Sequence, residues 1–368
     1  MKILQIVKYY DPCQGGMESV VKNIVEGIVE SSVDVSFTIY SNNHLRNFKK
    51  IIKIVGDVTV FKEITPFYLK SQPLNLRYPS LKMLIENSDV INHHYPFPTM
   101  ELGLLRQLKN FKNKKFIITW HANIKNSRWS WIEKFYNPLI KKLLDRADYI
   151  VVTSPQLFEA SDILKEYKNK IKIIPLSFDP KYNISESKKY PADRQFELLF
   201  VGKLRKYKGV EFLIKAIEDL PIKLTIVGNG EELEALMQQI KSLNIQEKVS
   251  FISNADDLQL SQIYINSDLF ILPSINEAEA FGVVQLEAMA NGLPVINTYL
   301  ESGVPFVSLN DFSGITVQPK SSESLKSAII KIIEDKELYE YFSSNAIKRA
   351  DLFSRKKMSE SYINLYND

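Results

Sequence analysis

The residues with most chemical content lie in the stretch 276–292, NEAEAFGVVQLEAMANG, where two carboxylates, Glu279 and Glu287, flank a phenylalanine and a glycine. The stretch follows an apolar run at 268–273 that reads as a buried strand. Residues 281–290 then read as a helix closed by Gly292 and Pro294. A helix apolar on nearly every face is a buried one. Glu287 inside it needs a partner, because a buried carboxylate without one is costly. Ligand hydroxyls would serve, and so would an Arg or Lys elsewhere in the chain. Glu279 stands just ahead of the helix, where it can face a ligand. Gly282, with no Cβ, lets backbone amides at the helix start come close to a phosphate.

Residues 198–209, LLFVGKLRKYKG, form an apolar strand ending at Gly202, with Lys203, Arg205, Lys206 and Lys208 directly after it. Cations at the carboxyl end of a strand suit a diphosphate. A solvated basic loop is the plain alternative, although the rest of that half is acidic. Gly15 and Gly16, between the first strand and its helix, let the backbone approach an anion, but Gly-Gly is also an ordinary turn. Gly228-Asn229-Gly230 lacks the third glycine of a dinucleotide fingerprint, so no NAD site is read there. His93 and His94 are expected to end one strand and His121 to end another, which would gather them at carboxyl ends in the first half.

Positioning these groups takes a strand–helix alternation, and the chain has one. Residues 1–7, 33–40, 89–92, 116–120, 149–153 and 171–175 read as strands, and Val20, Val21, Ile24, Val25 and Ile28 recur at helical spacing. The polar stretch 178–195, with Pro180 and Pro191, interrupts the pattern. It restarts with strands at 197–201, 223–227, 249–252, 268–273, 294–297 and 315–317, and helices close the chain. The expected fold class is α/β: two tandem doubly wound, Rossmann-like domains facing a cleft, with C-terminal helices. The domains are expected at 1–185 and 196–350, with a helix at 351–368 packing back toward the N-terminal domain.

Composition sets the outer bounds. The chain has 368 residues, 45% hydrophobic and 24% charged, which excludes disordered and collagen-like classes and exceeds what one core usually holds. The single Cys13 excludes an intramolecular disulfide, and His44, His93, His94 and His121 lack the spacing of a helical metal motif. No apolar run approaches the roughly 20 residues of a spanning helix, and the N-terminus lacks the apolar core of a signal peptide, so a cytoplasmic protein is expected. The net charge of +4 hides an asymmetry: residues 1–190 carry 29 Lys+Arg against 18 Asp+Glu, and residues 191–368 carry 18 against 25. A basic first half points to an anionic partner there. Leu104, Leu105, Leu108 and Phe111 at helical spacing, beside Lys109, Lys112, Lys114 and Lys115, read as an amphipathic basic segment fit for an anionic membrane surface. Arg46, Lys49, Lys50 and Lys53 make a second basic cluster. A solvated face over a packed helix is the alternative for both, and no motif supports nucleic-acid binding.

The run Glu279-Ala-Phe-Gly-Val-Val-Gln-Leu-Glu287, with Ala-Met-Ala-Asn-Gly-Leu-Pro-Val after it, resembles the E-x7-E signature of retaining glycosyltransferases of the GT-B fold, the large family-four group. The resemblance spans essentially the whole chain. It is strongest to bacterial enzymes that build capsule, O-antigen or other surface polysaccharides. It implies a nucleoside-diphosphate sugar, GDP- or UDP-linked, as donor in the second domain. Lys208 then matches the lysine on the donor diphosphate, and Lys203 stands where the family has arginine, keeping the charge without the bidentate fork. Glu287 matches the carboxylate on the ribose hydroxyls. Phe281, Gly282 and Val283 offer amides, and Gly16 matches the loop glycine near the phosphates. Glu279 and His121 match the catalytic-site residues beside the donor sugar, with Gly15 and His94 on the acceptor side.

The implied reaction moves a mannose-like hexose to a lipid-linked or polysaccharide acceptor with retention. Attack comes from the face that the diphosphate leaves, and the leaving phosphate takes the acceptor's proton. No cofactor and no metal are expected, since cations and amides offset the leaving charge and no Asp-x-Asp motif is present. The rival readings are a sugar-nucleotide epimerase or glycogen-synthase-like enzyme, and a non-catalytic GT-B subunit that stabilises a partner transferase.

Overall fold

β-Branched and leucine-rich runs become strands that are buried on both faces, as a parallel sheet covered by helices requires. The computed structural model describes residues 1–12, 15–31, 33–43, 50–65, 67–69, 72–75, 77–123, 133–182 and 186–368. Cys13, His44, Arg46 and Lys49 lie outside the described residues. The chain divides into two units, one of Met1–Leu176 with Arg355–Asp368, the other of Ser177–Ser354.

The first unit contains β1 (Lys2–Ile6), β2 (Ser36–Asn42), β3 (Ile51–Val55), β4 (Val58–Glu63), β5 (Tyr68–Leu69), β6 (Gln72–Pro73), β7 (Val90–Tyr95), β8 (Lys115–Trp120), β9 (Tyr149–Val152) and β10 (Ile171–Ile173). Eight of these form one sheet in the order β10-β9-β8-β7-β1-β2-β4-β3, parallel except for the last pair. The hairpin β3–β4 was not expected, although Gly56-Asp57 between two β-branched runs is its signal; Gly56 has φ +56°. His93 and His94 do not end their strand. β7 continues through Tyr95, paired to Trp120, so both histidines sit inside it and are buried.

The helix Arg355–Asn367 lies on the helix Gly16–Glu30 within this unit. Gly27 makes the close approach possible, since a Cβ there would come within 2.0 Å of Ser359 Oγ. Arg355 pairs with Glu26 and Glu30, each at 2.7 Å, and Tyr362 and Tyr366 are buried. The expected amphipathic basic helix is broken: the helix Pro98–Arg106 ends, and a 3-10 turn, Leu108–Phe111, follows. Leu104 and Phe111 belong to the core, and Lys114 and Lys115 donate to the carbonyls of Glu86 (2.9 Å) and Tyr366 (2.8 Å). Lys109 and Lys112 of that segment are exposed. Among the described residues no helix is long and apolar enough to cross a membrane.

The second unit contains β11 (Glu197–Val201), β12 (Lys223–Val227), β13 (Val249–Ile252), β14 (Leu269–Leu272), β15 (Val295–Thr298) and β16 (Gly314–Val317). They form an all-parallel sheet in the order β13-β12-β11-β14-β15-β16. The polar stretch after Phe178 belongs to this unit. Asn291 Nδ2 donates to the Tyr182 carbonyl at 2.6 Å, the Lys188 amide donates to Ser343 Oγ at 2.6 Å, and the Tyr190 ring packs on Phe196 and Tyr339. Strand order reverses between β7 and β1 in the first sheet and between β11 and β14 in the second, which is where such sheets open a crevice at their carboxyl ends.

Candidate active site

In the second unit the loops after β11 and β14 meet. A 3-10 turn, Lys206–Lys208, ends at Gly209, whose φ of +64° is in the left-handed region. A Cβ at Gly209 would come within 2.2 Å of the Pro273 carbonyl, so glycine lets the two loops touch. This contact carries Lys208 to Glu279. Lys208 Nζ lies 2.5 Å from Glu279 Oε2, and Ser274 Oγ donates to the same oxygen at 3.0 Å. Lys208 and Glu279 are each only 7% exposed. Burial alone would lower the lysine pKa, but the Glu279 carboxylate outweighs it and raises it above the ordinary value.

Past Glu279 the chain turns through Gly282 at φ +74°, where a Cβ would meet Leu272 Cδ2 at 2.7 Å. The helix begins at Val284 rather than at Phe281, because Gly282 holds a conformation outside the helical region. Among the described residues no acceptor takes the amides of Phe281, Gly282 or Val283. The Phe281 ring is buried against Phe353, so only its amide can serve a ligand.

Glu287 sits half-buried on the helix Val284–Ala290. Tyr264 Oη donates to Glu287 Oε2 at 2.8 Å. Burial pushes its carboxyl up to about 7, opposed by the Tyr264 hydrogen bond and by Lys181. Lys181 itself is held by Asp257 (2.8 Å) and Asp179 (3.2 Å). Lys203 and Arg205 are exposed, whereas Lys206 pairs at 3.3 Å with Glu211 in the first turn of the helix Val210–Ala216.

In the first unit His121 follows β8 directly, and its Nε2 lies 2.8 Å from Nδ1 of His94. His94, expected on the acceptor side, has no exposed surface, and its Nδ1 faces His121. Burial drives both imidazoles toward the neutral form, His121 down to about 3. Gly15 is extended, at φ −166°, and Gly16 opens the helix Gly16–Glu30. Among the described residues a Cβ on Gly16 would meet nothing within 4 Å, so their packing does not demand glycine there.

The family model "Glycosyltransferase Family 4" matches residues 14–182 and "Glycosyl transferases group 1" matches residues 183–349. The chain is a group 1 glycosyltransferase of the GT-B fold. It is 26% identical to the O-antigen chain mannosyltransferase C of Escherichia coli, over 100% of this chain and 98% of that one. It is 27% identical to the D-rhamnosyltransferase WbpZ of Pseudomonas aeruginosa, over 95% and 91%. Among solved structures, Anabaena HepE in complex with UDP superposes with a TM-score of 0.76 over 100% of both chains. At 18% identity that likeness speaks to the fold.

The structure of this glycosyltransferase adds residues that no motif revealed. Tyr264 holds Glu287, Ser274 holds Glu279, and Gln5 reaches His94 at 2.9 Å. Only Gln5 had a signal, as the one polar side chain inside the apolar strand β1.

Proposed function

We propose that the chain transfers a mannose-like hexose from a nucleoside-diphosphate sugar to a lipid-linked or polysaccharide acceptor in O-antigen-type surface polysaccharide synthesis, with retention and without a metal. The buried Lys208–Glu279 pair at the switch point of the second sheet, beside three amides without acceptors, carries this reading. A diphosphate would draw the Lys208 ammonium and the amides of Phe281, Gly282 and Val283, with Lys203 and Arg205 at the open side. Glu279, relieved of its lysine, would accept hydrogen bonds from sugar hydroxyls, and Glu287 from the ribose. The sugar–oxygen bond breaks and the diphosphate keeps the electron pair. Positive charge develops on the ring while the cation and amides meet the leaving charge. The acceptor oxygen bonds to the anomeric carbon from the same face, and its proton passes to the leaving phosphate oxygen. His121 and Gly16 are assigned to the donor by resemblance alone.

The test is incubation of the full chain with GDP-, UDP- and ADP-hexoses and a lipid-linked glycan acceptor, with products read by mass spectrometry and anomeric NMR. Transfer from donors of one base, with retained configuration, supports the reading. Neither transfer nor donor hydrolysis with any of them overturns it and leaves a non-catalytic subunit.

A further inference from the structure

We propose that Tyr366, on the C-terminal helix, fixes the tautomer of His121 through Gln5 and His94, holding His121 as a neutral imidazole protonated on Nε2 with Nδ1 free to accept. These three are positioning residues, since each acts only through the next. The inference concerns the first unit alone, and its catalytic meaning rests on the proposed transferase reading.

The chain of contacts is continuous. Gln5 Nε2 donates to Tyr366 Oη at 2.8 Å, which turns the Gln5 carbonyl toward His94. His94 Nε2 lies 2.9 Å from Gln5 Oε1, an oxygen that can only accept, so this nitrogen carries the proton. A neutral imidazole has one N–H, which leaves His94 Nδ1 as an acceptor. Across the 2.8 Å contact His121 Nε2 must then donate, and His121 Nδ1 keeps its lone pair.

The far end is braced. Asn92 Nδ2 also donates to Tyr366 Oη at 3.1 Å, and Asn92 is oriented by Thr119 Oγ1, which donates to its Oδ1 at 2.8 Å. Gln5, Asn92, His94 and Thr119 have no exposed surface, and Tyr366 is 2% exposed. Water therefore cannot replace a lost link, and reversing one amide would reverse every proton after it. Gln5 lies in β1 and His94 in β7, the strands that flank the switch point of this sheet. His93 takes no part, as its Nε2 meets Glu101 at 3.0 Å.

The test is long-range proton–nitrogen NMR on the full chain labelled at histidine. Four histidines make it tractable, with His121→Gln assigning the signal. Wild type at neutral pH is expected to show His121 as a single neutral tautomer protonated on Nε2. In Tyr366→Phe the Gln5 amide loses its acceptor, and the His121 signal should shift to a tautomer mixture. Gln5→Glu keeps an acceptor facing His94 and should keep the wild-type pattern. If the transferase reading also holds, Tyr366→Phe should lower kcat by about tenfold or more, as other wrong-tautomer variants do, with donor KM little changed. His121 protonated on Nδ1, a charged His121, or a pattern unmoved in a folded Tyr366→Phe protein overturns the inference. None of those readouts needs a substrate, so failure of the transferase reading would be seen separately.

Discussion

Replacing Lys208 by alanine tests the electrostatics of the site most directly. Glu279 would then stay buried with Ser274 Oγ, at 3.0 Å, as its remaining partner. Both members of the pair are 7% exposed, so water cannot take over from the lysine. Removing one partner of such a pair costs about 3–5 kcal/mol, because an uncompensated charge stays behind. At roughly 2–4 °C per kcal/mol for a domain of this size, the transition of the second unit should fall by about 6–20 °C. Removing both charges at similar volume, in Lys208→Met with Glu279→Gln, should restore most of that loss. Urea unfolding of wild type, the two single variants and the double variant closes a cycle whose coupling should reach about 2 kcal/mol or more. Nucleotide binding is read on top of this, as the thermal increment each protein gains from ligand. Saturation at about 100 times the Kd should add roughly 2.7 kcal/mol to wild type and nothing to the double variant. A Lys208→Ala protein within about 1 kcal/mol of wild type would refute the buried-pair argument, as would a double variant no more stable than Lys208→Ala.

Three further outcomes are expected. Gly16→Ala should fold normally and gain up to about 1 kcal/mol, since glycine is costly in a helix and the added Cβ meets nothing among the described residues, while transfer falls about tenfold or more; equal loss of stability and activity would show that Gly16 is structural. Glu287 holds its proton up to about 7 in the folded chain against an ordinary 4.5, so its contribution to stability is full below 4.5 and disappears as pH rises through 7. Urea midpoints between pH 4.5 and 7 should therefore fall less steeply with pH in Glu287→Gln than in wild type. Initial rates should survive dialysis against a chelator, and restoration by added magnesium would remove the metal-free reading.

The strands were legible because parallel strands buried on both faces are written as apolar runs, β14 (Leu-Phe-Ile-Leu) being the plainest. The end of β7 was misjudged because two histidines look like the start of a loop, whereas pairing to β8 extends the strand to Tyr95. Glu279, Glu287 and Lys208 could be singled out from type and spacing, but no local pattern tells which side chain a buried charge will meet. Glu287 found a tyrosine from the helix Asp257–Asn266, and Glu279 found the lysine that the same reading reserved for a phosphate. A count of cations is silent on partners for a related reason. Lys114 and Lys115 hold backbone carbonyls, and a charge total does not separate such lysines from free ones.

Each sheet places a buried polar pair where strand order reverses, and chain geometry explains why such a point is open to a ligand. On either side of β1 and of β11 the connections leave in opposite directions, so no helix closes over the carboxyl ends at that point. Gln5 and His94 come from the strands flanking one reversal, and Lys208 and Glu279 from the loops that leave the strands flanking the other. Burying such groups is costly wherever they stand, and pairing only limits the loss. A core built for stability alone would place leucine or methionine at these positions. Retaining a lysine–glutamate pair and a histidine–histidine contact makes sense where the same groups exchange partners with a ligand. Buried polar groups stand elsewhere too, Lys62 and Glu63 on β4 and Asn297 on β15 among them, but the pairs at the two reversals lie where such sheets bind ligands, and that coincidence is the physical argument for function here.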